Sequence, residues 1–302
     1  MDFANPFAAP GAWYKGNLHT HTSVSDGALD PAECVRQYRA ADYDFLALTD
    51  HGIVTPLPPV EGDDFLLLYG TEMAGDRTDL GESFHIVGFG ITGVDAVPPK
   101  PSVPEAIKWA QDHGGDAFIA HPSWSGLVIQ DMMRDTGHLG FEIFNSGCHF
   151  EQGKGYSLAH WDDVLGRDRR AWGFAVDDSH HAQRARHPVD TAKAWVMVKA
   201  PELTREAILQ SLRDGLFYSS FGPTIHDISI DGKTVTVHTS PATQINFIGQ
   251  RWAGAKTWAM TTPAITTATY QLTGREQYLR IECRDIEGRW AWSNPMFLSL
   301  ST

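Results

Sequence analysis

Five times in the first 180 residues, a short apolar run delivers a metal-ligand type of side chain just past its end. Leu18 leads into His19-Thr20-His21, residues 45–48 into Thr49-Asp50-His51, and residues 65–69 into Gly70-Thr71-Glu72. Residues 117–120 lead into His121-Pro122, and residues 173–176 into Asp177-Asp178-Ser179-His180. One histidine after a strand carries little information. Five units that place His, Asp or Glu at the same end constrain the fold, because parallel strands of a β/α barrel bring those ends to one rim.

The rest of the first two thirds agrees with that architecture. Further strand-like runs occupy residues 14–18, 85–89, 141–144 and 194–198, and helical patterns lie between several of them. Asp30-Pro31-Ala32-Glu33 reads as a helix start, with Asp as cap, Pro in the first turn and Glu three residues after the cap. Ser102-Val103-Pro104-Glu105 repeats the pattern, and Gly114-Gly115 stops that helix. Thr204 opens a helix with Ile208, Leu209 and Leu212 inward. Residues 1–222 are therefore expected to form an α/β unit, a mainly parallel sheet covered on both faces and closed as a barrel. After Gly222-Pro223 the period becomes two, as in Ile228-Ser229-Ile230, and Asp231-Gly232 marks a hairpin. Residues 223–302 are expected to form a small antiparallel β-sandwich of six or seven strands.

Composition bears on the chemistry. The 302 residues include 14 His but only 3 Cys (Cys34, Cys148 and Cys283), with no CxxC pair. Imidazole and carboxylate ligands without thiolate suit Zn, Mn or Fe and exclude a zinc ribbon or a thioredoxin-like motif. His-x-His at a strand end places both rings on one side, and a carboxylate such as Glu72 has two oxygens with which to bridge two ions. The net charge of −13 argues against a general nucleic-acid or anionic-membrane binder. No apolar run approaches the ~18 residues of a membrane helix, and the first residues lack the pattern of a signal peptide, so a cytoplasmic location is expected. The excess negative charge lies in the first 222 residues. Bound cations there would reverse the local sign and suit a small anionic substrate.

Taken in order, His19-Thr20-His21, Asp26-Gly27, Thr49-Asp50-His51-Gly52, Gly70-Thr71-Glu72, Phe84-His85-Ile86-Val87-Gly88, Ala120-His121-Pro122 and Asp178-Ser179-His180 resemble the motifs of the PHP (polymerase and histidinol phosphatase) superfamily. The resemblance covers about residues 14–220. It implies a distorted (β/α)7 barrel around two or three divalent ions, and phosphoesterase activity through a metal-bridging hydroxide. It assigns His19, His21, Glu72 and Asp178 to a first metal, Glu72, His85 and His121 to a second, and Asp26, His51 and His180 to a third. Many relatives carry His where this chain has Asp26. His85 begins its apolar run rather than ending it, so either that run is antiparallel or its register differs. The stretch Asp285…Gly288-Arg289…Ala291-Trp292-Ser293-Asn294-Pro295 resembles the β tail of carbaryl-hydrolase-like members.

The expected activity is hydrolysis of a small phosphate mono- or diester. Asp178 and His180 are the catalytic candidates, His180 as leaving-group acid if it is not a ligand. Arg77, Arg184 and Arg186 are candidates for a phosphate clamp, and Asn145, His149, His181 and His187 for pocket contacts. The alternatives are attack on a carbamate, ester or amide carbon, favoured by an aromatic pocket around Trp124 and Phe150 lacking Arg, and a non-catalytic metal-stabilised binding module. Trp252, Trp258, Trp290 and Trp292 suit core and interdomain packing better than a sugar platform. Neither the oligomeric state nor the physiological substrate is legible.

Overall fold

The computed structural model describes residues 5–134, 137–181, 190–259 and 264–298. Its first part contains β1 (Ala12–Asn17), α1 (Pro31–Ala40), β2 (Phe45–Leu48), β3 (Leu66–Arg77), β4 (Ser83–Ile91), α2 (Val103–Asp112) and β5 (Asp116–Ile119). Then come α3 (Ile129–Arg134), β6 (Gly140–Asn145), α4 (Ser146–Gln152), α5 (Leu158–Leu165), β7 (Trp172–Val176), β8 (Trp195–Ala200), α6 (Arg205–Arg213) and β9 (Phe217–Ser220). The helices start as their caps dictate. Asp30 accepts from the Glu33 N–H, Ser102 and Glu105 form a reciprocal capping box, and Thr204 caps α6 through the Ala207 N–H. Among the described residues, no helix is long and apolar enough to cross a membrane.

Strands β1 to β7 lie side by side in chain order. The ring closes at the top, where Thr20 bridges Ser179 in parallel, the Asp178 N–H donates to His19 O (3.0 Å) and the His21 N–H donates to Ser179 O (2.9 Å). The interior is apolar and large-residue rich: Phe45, Phe89, Phe118, Phe174 and Phe217 are buried together. Gly16 is needed there, since a Cβ at that position would sit 2.1 Å from the Phe45 ring.

The sheet is not parallel throughout. Strands β1–β2–β3 and β5–β6–β7 are parallel, but β4 is antiparallel to both neighbours. The cause is the connection. Only residues 78–82 separate β3 from β4, enough for a hairpin and too few for the crossover a parallel pair requires. A descending β4 begins at the rim, and His85 is its third residue. This resolves its register: the residue that opens an apolar run reaches the same rim as those that close one.

The C-terminal part holds β10 (Ile225–Asp231), β11 (Thr234–Ala242), β12 (Gln244–Gly249), β13 (Gly254–Trp258), β14 (Ile265–Gln271), β15 (Tyr278–Arg284), β16 (Trp290–Ser293) and β17 (Met296–Phe297). A three-stranded sheet, β10–β11–β14, faces strands of the main sheet across a core that includes Ile228, Val237, Phe247, Tyr270 and Ile281. Asp231-Gly232 makes the β10–β11 hairpin, with Asp231 opposite Thr234. The change of period after Gly222 coincides with the end of β9, but the hydrogen-bond ladder does not stop there. Strand β8 pairs with β1, β9 with β8 and β16 with β9, so one sheet runs from the barrel into the sandwich. Pairing partners across that junction are invisible to period-two patterning.

Candidate metal centre

All nine side chains assigned to metals by sequence meet at the rim. They form three overlapping sets: His19, His21, Glu72 and Asp178; Glu72, His85 and His121; and His21, Asp26, His51 and His180. Within each set the candidate ligand atoms lie within 4.8 Å of one another. His21 joins the Asp26 set as well as its own, which the sequence did not indicate. Its Nδ1 lies 3.7 Å from Asp26 Oδ1 while its Nε2 lies 3.1 Å from Asp178 Oδ1.

Glu72 sits at the junction. Its Oε1 faces His85 Nδ1 (2.8 Å) and His121 Nε2 (3.1 Å). Its Oε2 faces His51 Nδ1 (2.9 Å), His21 Nε2 (3.3 Å) and His19 Nε2 (3.4 Å). One oxygen thus serves one set and the other oxygen its neighbours, the disposition of a bridging carboxylate.

The residues fit divalent cations on three counts. First, Glu72 Oε2 and His21 Nδ1 are buried without a hydrogen bond, although ring nitrogens and carboxylates surround them. A buried polar atom left in that state is costly, and a bound cation would relieve it. Second, His19 Nε2 and His21 Nε2 face each other at 3.0 Å. Third, the backs of the rings are held. His19 Nδ1 meets Glu142 Oε1 (2.6 Å), His121 Nδ1 meets Ser125 Oγ (3.0 Å) and His180 Nδ1 meets Asp178 O (3.1 Å), which leaves each Nε2 for a ligand role. His121 and Asp178 also adopt left-handed backbone, with φ of 27° and 52°. Such strain is rare outside glycine and collects at functional sites.

Electrostatics point the same way. Burial alone would push the His19 ring down, but Asp178, Glu72 and Glu142 hold it well above the usual imidazole value. His21, against the same burial, is lifted to about 9 by Asp178 and Glu72. Burial would raise the Glu72 and Asp178 carboxyls, yet His19 and its neighbouring rings hold both well below the carboxylate range. The buried carboxylates and the rings around them balance each other's charge inside the barrel.

Glu142, near Asn145 in the same run, is placed by strand-end reasoning at the rim or its wall without a role. It is fully buried within β6, accepts from the His121 N–H (2.7 Å) and from Asn145 Nδ2 (2.8 Å), and backs His19. The signal was a lone carboxylate inside the apolar run Phe141-Glu142-Ile143-Phe144. Asn145 also donates to Asp178 Oδ2 (3.0 Å), so it positions ligands instead of lining the pocket. The Asp50 carboxylate ties Thr22 and Ser25 of the loop after β1 to Thr55 of its own loop after β2. Asp177 ties Tyr38, Ser146 and the Ala194 N–H together behind the site.

Three expected pocket residues lie elsewhere. Arg77 donates to Gly81 O (2.7 Å) in the β3–β4 turn, five residues beyond Glu72 along β3. His149 packs among Phe144, Phe150, Tyr156 and Phe221, and burial lowers its pKa. His181 is buried against Cys34 (3.2 Å) and Thr191 (2.8 Å), and burial brings it to about 4. Proximity in sequence to a ligand did not translate into proximity in space, because a strand or tight turn reverses direction within two or three residues. Arg184, Arg186 and His187 lie outside the described residues.

The ligands floor a pocket of about 370 Å³. Trp124, packed against His121 and His85, forms one wall, and Cys148, Glu151 and Gln152 of α4 form another. Among the described residues, neither Lys nor Arg lines it.

No protein-family model matches the chain. An uncharacterized protein of Methanocaldococcus jannaschii is 33% identical over 107 residues, which are 35% of this chain and 44% of that protein. The chain thus matches less than half the length of this relative. A two-domain protein from Bacteroides vulgatus, described as containing a PHP-like metal-dependent phosphoesterase, aligns over 95% of this chain and 97% of its own, at 15% identity and a TM-score of 0.48. An amidohydrolase from Chromobacterium violaceum, solved with sulfate and no metal, aligns over 57% of this chain and 89% of its own, at 17% identity and a TM-score of 0.44.

Proposed function

We propose that this chain is a metal-dependent hydrolase of the PHP type that cleaves a small phosphate mono- or diester. The observation that carries the reading is Glu72, whose two oxygens divide between ligand sets that nine rim side chains complete. His19, His21, Glu72 and Asp178 would hold one ion, Glu72, His85 and His121 a second, and His21, Asp26, His51 and His180 a third. Zn, Mn and Fe all suit this donor set. Such ions supply Lewis acidity, acidifying water and drawing charge from the ester oxygens.

The protein's own groups do the rest. Glu142 and Ser125 fix the ring orientation of His19 and His121, and Asn145 fixes the Asp178 carboxylate. The charge of three dications exceeds that of Asp26, Glu72, Glu142 and Asp178, so a loaded floor attracts an anion although no Lys or Arg among the described residues lines it. With the third ion bound His180 is a ligand; with only the first two, its part-exposed ring, with Nε2 3.4 Å from Asp26 Oδ2, is the group placed to give a proton to a leaving oxygen. Trp124 lines the side of the pocket next to His85 and His121 and offers an apolar wall to a substrate there.

One observation favours a second reading. A pocket walled by Trp124, without Arg or Lys among the described residues, also suits an ester or carbamate carbon. The test is hydrolysis of nitrophenyl phosphate, bis(nitrophenyl) phosphate, nitrophenyl acetate and naphthyl methylcarbamate by Mn-, Zn- or Fe-loaded protein. The phosphate esters are expected to turn over, and His19→Ala and Glu72→Ala to lose at least ~100-fold, as removal of metal electrostatics does. Turnover of the acetate or carbamate alone would establish the second reading. Equal rates for wild type and both variants on every substrate would refute both.

A further inference from the structure

The outer face of the β12–β13–β15 sheet carries a cleft independent of the metal centre. In β12, Ile245 and Phe247 point into the sandwich core, so Gln244, Asn246 and Ile248 point out. Register places Trp258 opposite Gln244 and Lys256 opposite Asn246, on the same outer face. This face is roofed on one side by the end of α5, with Asp162, Asp163 and Arg167, and on the other by the β12–β13 hairpin tip. The space between is about 1000 Å³.

Three features of the cleft bear on what it can bind. Trp252 at the tip lines the cleft and is 78% exposed, whereas Trp292 packs into the core; Trp258, 59% exposed, lies on the same face beyond the cleft lining. The tip is held rather than loose. Ala253 N–H donates to Gln250 O (3.0 Å), Gln250 Nε2 donates to Arg275 O (2.7 Å) and Gln250 Oε1 accepts from the Gln277 N–H (2.9 Å). Within it Arg251 takes left-handed backbone, φ 54°, where glycine would be easier. Finally, Arg251 and Lys256 face the cleft without a carboxylate partner among the described residues, in a chain of net charge −13, with the Lys256 ammonium 5.2 Å from the Trp258 ring centre. The two acids present are engaged, Asp162 with Arg280 and Asp163 with Arg167.

We propose that this cleft binds an acidic saccharide, a short chain of pyranose rings bearing carboxylates. The flat apolar face of an exposed Trp matches the C–H face of a pyranose while its N–H edge stays in water. Sugar hydroxyls pair with planar amides. Gln244 Nε2 donates to Asn246 Oδ1 (3.0 Å), which leaves the Gln244 carbonyl for a ligand. Arg251 and Lys256 supply the charge for a uronate, Arg251 as a fork.

The test is isothermal titration of the full-length protein with trigalacturonate, with cellotriose as the neutral ring control and triglutamate as the charged non-sugar control. Trigalacturonate is expected to bind, and both controls at least ~10-fold more weakly. Trp252→Ala is expected to lose at least ~10-fold by removing the stacking face. Arg251→Gly, which keeps the left-handed turn and deletes the cation, is expected to lose several-fold and to flatten the salt dependence. Both side chains are exposed, so the melting temperature serves as a folding control and should stay near that of wild type. No binding of trigalacturonate, equal binding of either control, or undiminished binding by well-folded Trp252→Ala would each overturn the proposal.

Discussion

Behind His19 stands Glu142, and the two together show how a single carboxylate can matter without touching an ion. Its Oε1 fixes the His19 ring while its Oε2 accepts from the His121 backbone, so ligands of two different sets depend on it. Glu142→Gln keeps the size but weakens the 2.6 Å contact. It should lower metal affinity by ~10–100-fold, the usual cost of losing such a partner. Competition against a graded series of chelators would measure this, and a change under about threefold would show that Glu142 only fills space. Most of the nine rim side chains were legible because they follow a strand end, where a polar residue after an apolar run is conspicuous, whereas Asp26 and His85 were legible only through the family resemblance. Glu142 was legible as a residue of the rim or its wall but not by its role, because it lies mid-strand, where only its buried surroundings reveal its task. Arg77, His149 and His181 failed the opposite way: their types suit a pocket, but hydrogen bonding and packing aim them elsewhere.

At the level of elements, local rules predicted more than pairing did. The caps at Asp30, Ser102 and Thr204 each start the expected helix, because capping involves residues three apart. The direction of β4 depended on the five-residue link before it, a feature that apolar periodicity does not register. The connection between β14 and β15 is a similar local device. Glu276, 2% exposed, accepts from Thr273 N–H (3.0 Å), Thr273 Oγ1 (2.8 Å), Gly274 N–H (3.0 Å) and Tyr270 OH (2.8 Å). Burial opposes its ionisation, yet these donors bring the carboxyl down to about 2. A carboxyl depressed on folding stabilises the protein above its unfolded value near 4.5, and that contribution fades as pH falls toward 2. Glu276→Gln should therefore cost on the order of 2–3 kcal/mol at pH 7. The gap between wild type and variant should narrow steadily from pH 4.5 downward. Urea unfolding at a series of pH values would check it, and a gap independent of pH would disprove the carboxylate's role.

Across the whole molecule, barrel and sandwich share more than a chain connection. Strands β8 and β9 belong to the ladder of both, and Asn294 of the sandwich accepts from the Gly173 N–H (3.1 Å) of β7 while donating to Phe217 O (3.2 Å). The rings of Phe144 and Phe221 stack at 4.2 Å across the same seam. Its centre is Arg280 of β15, 1% exposed, over the Trp161 ring at 4.8 Å and paired with Asp162 of α5 and Glu282 of its own strand. Removing one member of a buried charge set leaves the others uncompensated, at a cost of about 3 kcal/mol or more. Arg280→Met keeps the apolar stem over Trp161 and strands Glu282, whose remaining partner is Asn246 Nδ2 at 3.1 Å. It should lower the melting temperature by about 5–10 °C. Because the ladder is continuous, calorimetry should show one transition in wild type and one, shifted, in the variant. Two resolved transitions in wild type would mean that the shared sheet does not couple the halves. If Glu282→Gln in the Arg280→Met background recovers part of the loss, the stranded charge is the cause; a further loss would place the cause in packing against Trp161.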